Sequence, residues 1–279
     1  MKHPDRSTAR RRASRLALLP LALASTAALA DQSPALDRAS LWVGGYYTHM
    51  NTVIGASDKS GDNYGSVDLE HDLGFATHRT TPRARLDFLI GDHQGFSFDY
   101  YNAHRSRAQS MSQAFSYGGT DYLASASVHG KLNFNFGSAA YRWWFGSGND
   151  VFGLGLGAAY YGIHASISGE ASMNGEVAQA SSSTSETAWA PMLQLGWRHA
   201  FDHNVRMYVD LSGVKRNSTR LGGHIYNASV GVEWFPWEHV GFGAEYGYTK
   251  IALHQHRERF NDRLDMKLDG PSLFARVRF

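Results

Sequence analysis

The sequence predicts an all-β fold: a single transmembrane antiparallel up-and-down β-barrel of about ten strands, with eight as the alternative, after a cleaved signal peptide. Three observations carry this. Apolar residues recur at every second position over most of the chain beyond residue 30, the period of strands with two different faces. The connections alternate between short turns and long polar segments, as in barrels with tight turns on one side of a membrane and loops on the other. Finally, the one long apolar stretch, Leu16 to Ala30, is interrupted by Pro20 and falls short of the ~20 residues a spanning helix needs.

The first element is residues 1–30. Lys2, Arg6, Arg10, Arg11, Arg12 and Arg15 precede the apolar stretch, and Ala28-Leu29-Ala30 ends it with small residues. This is the layout of a secretory signal peptide, cut before Asp31. It divides the chain into a signal peptide, 1–30, and a barrel domain, 31–279. The formal charge of +2 belongs to the signal: without it, 21 basic residues face 24 acidic ones, a net −3. Nucleic acid is therefore not an expected partner. There is no cysteine, which excludes a disulfide framework, a thiolate metal site and a cysteine nucleophile.

Strands are expected at roughly 40–50, 82–90, 95–103, 122–146, 151–166, 187–200, 205–214, 224–235, 240–252 and 267–279. Short turns fall at 91–94, 147–150, 202–204 and 236–239, and longer polar segments near 51–80, 104–121, 167–186, 215–223 and 253–266. The apolar face is taken as lipid-facing and the face with charges and glycines as lumenal. Thus Ala84, Leu86 and Phe88, or Phe152, Leu154 and Leu156, point outward. In 122–146 the apolar phase shifts from even positions (Val128 to Phe136) to odd ones (Tyr141, Trp143, Phe145). A bulge at Gly137-Ser138-Ala139 would account for this, since one extra residue flips the facing. Leu132 is then expected against lipid and Asn133 in the lumen. Gly153, Gly155 and Gly157 are read as small inward residues that relieve crowding.

Trp42, Trp143, Trp144, Trp197, Trp234 and Trp237 cluster near the turn ends. Tyr46, Tyr47, Tyr100, Tyr101, Tyr160, Tyr161, Tyr246 and Tyr248 cluster toward the loop ends. Two interfacial aromatic girdles are expected from this sorting. The last strand, Leu273 to Phe279, alternates and ends on Phe. It resembles the closing strand of Gram-negative outer-membrane barrels, and Phe279 is its terminal recognition residue. Taken whole, residues 31–279 resemble small OmpA/OmpW-type or opacity-type barrels. The resemblance implies an outer-membrane location, the barrel assembly machinery as a partner in biogenesis, and outer-membrane lipid and lipopolysaccharide as surroundings. No cofactor is expected, and the peptidoglycan-binding domain that many OmpA-like proteins carry after the barrel is expected to be missing.

The predicted lumen holds Arg83, Arg85, Lys131, Arg142, Arg198, Arg206, Arg276 and Arg278 against Asp87, Asp99, Asp210, Glu233 and Glu245. Charges in a narrow barrel need partners or water. They are read as an ion-pair network bracing the wall, with a narrow pore of weak anion preference as the alternative. Asp58, Asp62, Asp68, Glu70 and Asp72 form an acidic first loop without a calcium-binding frame. His254, His256, Arg257, Arg259, Arg263 and Lys267 are candidates for lipopolysaccharide phosphates, with a plain soluble loop as the alternative. His254 and His256 alone are a weak metal pair. Asn217-Ser218-Thr219 matches a glycosylation acceptor by chance. A hydrolase could be assembled from His224 with Ser229 and Asn227, or from Asp210 with His224, but no triad spacing stands out. The expected function is thus non-enzymatic: barrier integrity, lipopolysaccharide contact or adhesion. A small-solute pore and a lipid-modifying hydrolase are the alternatives.

Overall fold

The computed structural model describes residues 33–58, 64–110, 115–117, 120–122, 127–173, 176–201, 204–216, 221–256 and 260–279. The signal peptide, the Asn217-Ser218-Thr219 triplet, Asp62, Arg257 and Arg259 lie outside them, as do the side chains of Asp58 and His256. Thirteen strands form one sheet: β1 (Ala39–Asp58), β2 (Tyr64–Asp68), β3 (His78–Ile90), β4 (Gln94–Ser110), β5 (Phe115–Tyr117), β6 (Thr120–Tyr122), β7 (Ser127–Phe145), β8 (Asp150–Met173), β9 (Glu176–Ala200), β10 (Val205–Arg216), β11 (Leu221–Trp234), β12 (Val240–His256) and β13 (Phe260–Arg278). Ten of these are long. Each pairs antiparallel with its successor, and β13 returns to β1 from Ser40↔Arg278 to Asp58↔Phe260. The result is a closed up-and-down barrel of ten strands, not eight. β2 pairs along β1, and β5 and β6 form a small hairpin that touches β8. Residues 202–203 of one short turn lie outside the described residues; the short turns at 91–94, 147–150 and 236–239 fall where the sequence places them.

The long polar segments do not. β8 has 24 residues and β9 has 25, paired from Asp150↔His199 to Met173↔Glu176. A tilted strand crosses the hydrocarbon layer in about 9–11 residues. These two strands therefore continue well beyond it, and most of the segment expected as loop 167–186 is sheet.

This length explains the phase change in β7. The register of β7 against β4 runs unbroken from Gln94↔Trp143 to Ser110↔Ser127, and against β8 from Phe145↔Phe152 to His129↔Ser168. There is no bulge. Even positions face inward throughout: Val128, Leu132, Phe134, Phe136, Ala140, Arg142 and Trp144 are all buried. What changes along the strand is the medium outside. Near the turns the outer surface is apolar, with Leu41, Leu86, Leu154, Leu195, Val232, Phe242 and Leu273 exposed. It ends in a row of exposed Tyr47, Tyr100, Trp189, Tyr226 and Tyr246. Beyond that row the outward residues are His49, His104, Lys131, His164, Lys215 and Lys267.

Within the lipid-facing band the barrel is apolar outside and polar inside. Above it the barrel is polar outside and apolar inside, as a water-soluble barrel must be. Leu132 is 1% exposed, in the upper core rather than against lipid. Asn133 and Lys131 face outward rather than into the lumen.

The girdles are corrected in the same way. Trp143, Trp234 and Trp237 are exposed at the turn end, and Trp234 to Tyr226 covers the nine residues a crossing requires. Trp42, Trp144, Tyr46, Tyr101 and Tyr161 point inward and are buried. Room for such rings comes from glycine. A Cβ on Gly153 would lie 2.7 Å from the Trp144 ring, and one on Gly231 would lie 2.4 Å from the ring of Tyr208. On β13, Gly270 has φ +151° and approaches the Tyr47 carbonyl so closely that a Cβ would sit 2.1 Å from it.

Candidate functional site

The lumen is filled in three layers. At the turn end, residues 33–38 enter the barrel mouth. Ala35 and Leu36 are buried with Trp144, Val151 and Ala200. Asp37 then meets Arg206 at 2.7 Å, Arg276 at 3.0 Å and Arg278 at 3.9 Å. Arg276 also holds Glu233 at 2.5 Å, and the Arg278 guanidinium lies 3.9 Å from the centre of the Phe235 ring.

The middle layer lies at the depth of the lipid-facing band. Arg83 donates to both oxygens of Asp99, through Nε at 3.0 Å and Nη2 at 2.6 Å, and its Nη1 donates to Glu245 at 2.8 Å. Asp210 is the hub. It accepts from Arg198 on both oxygens, at 3.0 and 2.9 Å, and from Arg85 and Arg142 at 3.2 Å each. Tyr208 donates to Glu245, and Arg142 Nε donates to Gln194. Rings cover the guanidinium faces: Arg198 lies 5.1 Å from Trp144 and 5.0 Å from Tyr208. Removing these charges from water is costly, and the multiple charge-assisted bonds offset that cost.

The upper layer is apolar. Leu132, Phe134, Phe136, Met50, Ile225, Ile251 and Leu268 come from the walls. Leu69, Leu73 and Phe75 come from the segment after β2, which folds inward over them. That segment is tied down by Glu70, buried at 2.6 Å from Arg105, whose other nitrogen donates to the Ala76 carbonyl. Between the charged and apolar layers lies a cavity of about 50 Å³, bordered by Tyr46, Arg83, Tyr101, Phe136 and Asn227. It has room for a few waters and nothing larger.

All the arginines and acids predicted for the lumen lie inside it; Lys131 alone does not. Asp87 lies inside but makes no ion pair within 4.0 Å among the described residues. Its expected share falls to Asp37 and Asp210. Asp37 and Arg105 escape the sequence reading, and Glu70 is read only as part of an acidic loop, because all three lie outside the regular alternation of the short strands. One signal pointed to the two acids: eight basic against five acidic groups leaves a buried excess that further acids must balance.

The first loop uses its acids internally. Asp68 accepts from the amides of Glu70 and His71, and Asp72 accepts from the amide of Asp68. The exposed His71 ring bonds to Asp72, which raises the imidazole pKa above its ordinary value and lowers that of the carboxyl. Further along, Arg263 pairs with Asp265 at 2.5 Å, and Lys267 is exposed on the outer surface. Neither paper hydrolase assembles. Asp210 points into the lumen, bound by three arginines, whereas His224 is on the outer face against the Tyr226 ring at 5.1 Å. Ser229 and Asn227 face inward, away from His224. Among the described residues no group of three or more His, Asp or Glu could hold a metal.

No protein-family model and no curated protein matches the sequence. Solved structures do match the fold. The outer membrane protease OmpT of Escherichia coli superposes with a TM-score of 0.58 at 9% identity, over 86% of this chain and 96% of that one. The translocator domain of the autotransporter NalP from Neisseria meningitidis gives 0.46 at 12% identity, over 86% and 87%. The outer membrane protein OprG from Pseudomonas aeruginosa gives 0.39 at 8%, over 87% and 99%. At such identity the likeness is one of architecture. The chain has the fold of an outer-membrane β-barrel, of ten strands rather than the eight of the OmpA/OmpW type.

Proposed function

We propose that this chain is an integral outer-membrane protein whose barrel is a closed, non-conducting body with a non-enzymatic role at the cell surface. Barrier integrity, lipopolysaccharide contact and adhesion are the roles such a body can serve. In this reading the signal peptide carries it through the inner membrane, and the barrel assembly machinery inserts it by its last strand, ending at Phe279. One observation carries the reading. The lumen is filled at every level: by the Asp37 segment, by the arginine–carboxylate layer around Asp210, and by the apolar layer under Leu69, Leu73 and Phe75. A ten-strand barrel has an interior that side chains can fill, unlike the wider porins.

The test is electrical. Purified protein reconstituted in a planar bilayer is expected to give no steady single-channel current. Steady conductance would overturn the closed reading and promote the small-solute pore. Its ion selectivity would then show whether the lumenal arginines govern passage.

A further inference from the structure

On the outer wall, in the band read as lipid-facing, lies an apolar groove of about 500 Å³. Its floor is made of the small residues Gly137 and Ala139 on β7, and Ala84 on β3 lines it on the far side of Tyr100. One bank is Phe98 and Tyr100; the other is Tyr160 and Trp189, whose rings lie 5.1 Å apart. Registers place the groove in the outer half of the band: Tyr100↔Gly137, Gly137↔Tyr160 and Tyr160↔Trp189 form one row, at the level of the interfacial tyrosines.

Three of these four strands, β4, β7 and β8, carry a polar continuation directly above this row. Asn102 and Asn135 are opposite one another and hydrogen-bonded. The next row is His104–Asn133–His164, with a hydrogen bond between His104 and Asn133. Lys131 follows one step further out and makes no ion pair among the described residues. Rows of one face are adjacent, with diagonal neighbours ~7–8 Å apart, so these groups form one patch.

An apolar trough that opens upward onto an ammonium, two imidazoles and three carboxamides fits an amphiphile with a long acyl chain and an anionic, hydroxyl-bearing head. We infer that this wall holds a lipid of the outer leaflet, a phosphorylated and acylated glycolipid of the lipid A type. One acyl chain lies in the groove between Phe98 and Trp189, and the phosphate lies against Lys131, His104 and His164. The charge is complementary, because a phosphate supplies the anion that Lys131 lacks. The amides favour a sugar head over a plain glycerophosphate, because each carboxamide both donates and accepts. The site is distinct from the last loop, where the sequence alone would look for such contact. The inference rests on the reading of this wall as lipid-facing.

The experiment is native mass spectrometry of the purified full-length barrel in detergent, titrated with lipid A or with phosphatidylglycerol. Two variants accompany it: Ala139→Phe, which fills the groove, and the pair Lys131→Glu with His164→Glu, which inverts the head site. The expected result is a tenfold or larger loss of lipid A affinity in each variant, with the detergent melting temperature unchanged. Phosphatidylglycerol is expected to bind the wild type at least tenfold more weakly than lipid A. Equal lipid A binding by wild type and both variants overturns the site, and equal affinity for the two lipids overturns the choice of lipid. Flotation with vesicles separates the two levels of failure. A wild type that does not float removes the membrane reading itself, whereas one that floats but ignores the substitutions removes the groove alone.

Discussion

Leu132→Arg is expected to prevent assembly of the extramembrane half of the barrel, whereas Asn133→Arg one position away is expected to be nearly silent. Leu132 is 1% exposed among Phe134, Phe136 and other residues of the apolar layer. A guanidinium there would lie opposite the buried Arg105, whose partner Glu70 is already engaged, and a buried charge without a partner of its own costs several kcal/mol. The gentler Leu132→Ala would remove the same contacts without adding charge, at about 2–5 kcal/mol. Asn133 faces outward above the tyrosine row, where a charge is solvated and the change should stay within about 0.5 kcal/mol. Urea unfolding in detergent micelles measures both. A small loss for Leu132→Ala, below about 1 kcal/mol, would mean that this residue is not in a packed core.

Asp210→Asn is expected to be the most damaging single change in the charged layer. Its carboxylate accepts from Arg85, Arg142 and Arg198, and all three are buried. Breaking a buried pair by removing one partner costs about 3–5 kcal/mol, because the other charge stays behind uncompensated. Here Arg142 and Arg198 have no other acid within 4.0 Å among the described residues, and Arg85 keeps only longer contacts with Asp99 at 3.6 Å and Glu245 at 3.8 Å. Asp99→Asn should cost less, since Arg83 keeps Glu245 at 2.8 Å. The order Asp210→Asn worse than Asp99→Asn, read as melting temperatures of the folded band in detergent, is the expected outcome. Equal effects would mean that Asp210 is not the hub.

The ten strands, three of the short turns and the arginine–carboxylate layer were legible because the lipid-facing band obeys one rule, apolar out and polar in. The upper half was misread for the same reason. Val128 to Phe136 alternates as cleanly as Phe152 to Tyr160, but in water the apolar face must turn inward. The apparent shift at Gly137-Ser138-Ala139 is thus a change of solvent along a straight strand, placed where the outer surface leaves the tyrosine row. The true length of β9 was hidden by its composition. Ser181, Ser183 and Ser185 carry no apolar pattern, yet their backbones pair with Ser168, Ser166 and His164 on β8. Asp37 was invisible because it precedes the first strand, where no alternation reports which way a side chain points. The outer-wall groove needs four strands, β4, β7, β8 and β9, in register, which no single segment reveals.

The inversion of the barrel along its axis is tested most directly by spin labels placed singly at each position from Lys131 to Phe145 in the vesicle-inserted protein. Their collision rates with oxygen and with a water-soluble nickel chelate give the surroundings of each. The expected pattern keeps the even positions, Leu132 to Trp144, shielded from both reagents. The odd positions divide: those at 131, 133 and 135 are open to nickel, and those at 139, 141 and 143 are open to oxygen from the bilayer. Oxygen access at 132, 134 and 136, with nickel excluded from 133, would restore the bulge and contradict a water-facing upper barrel.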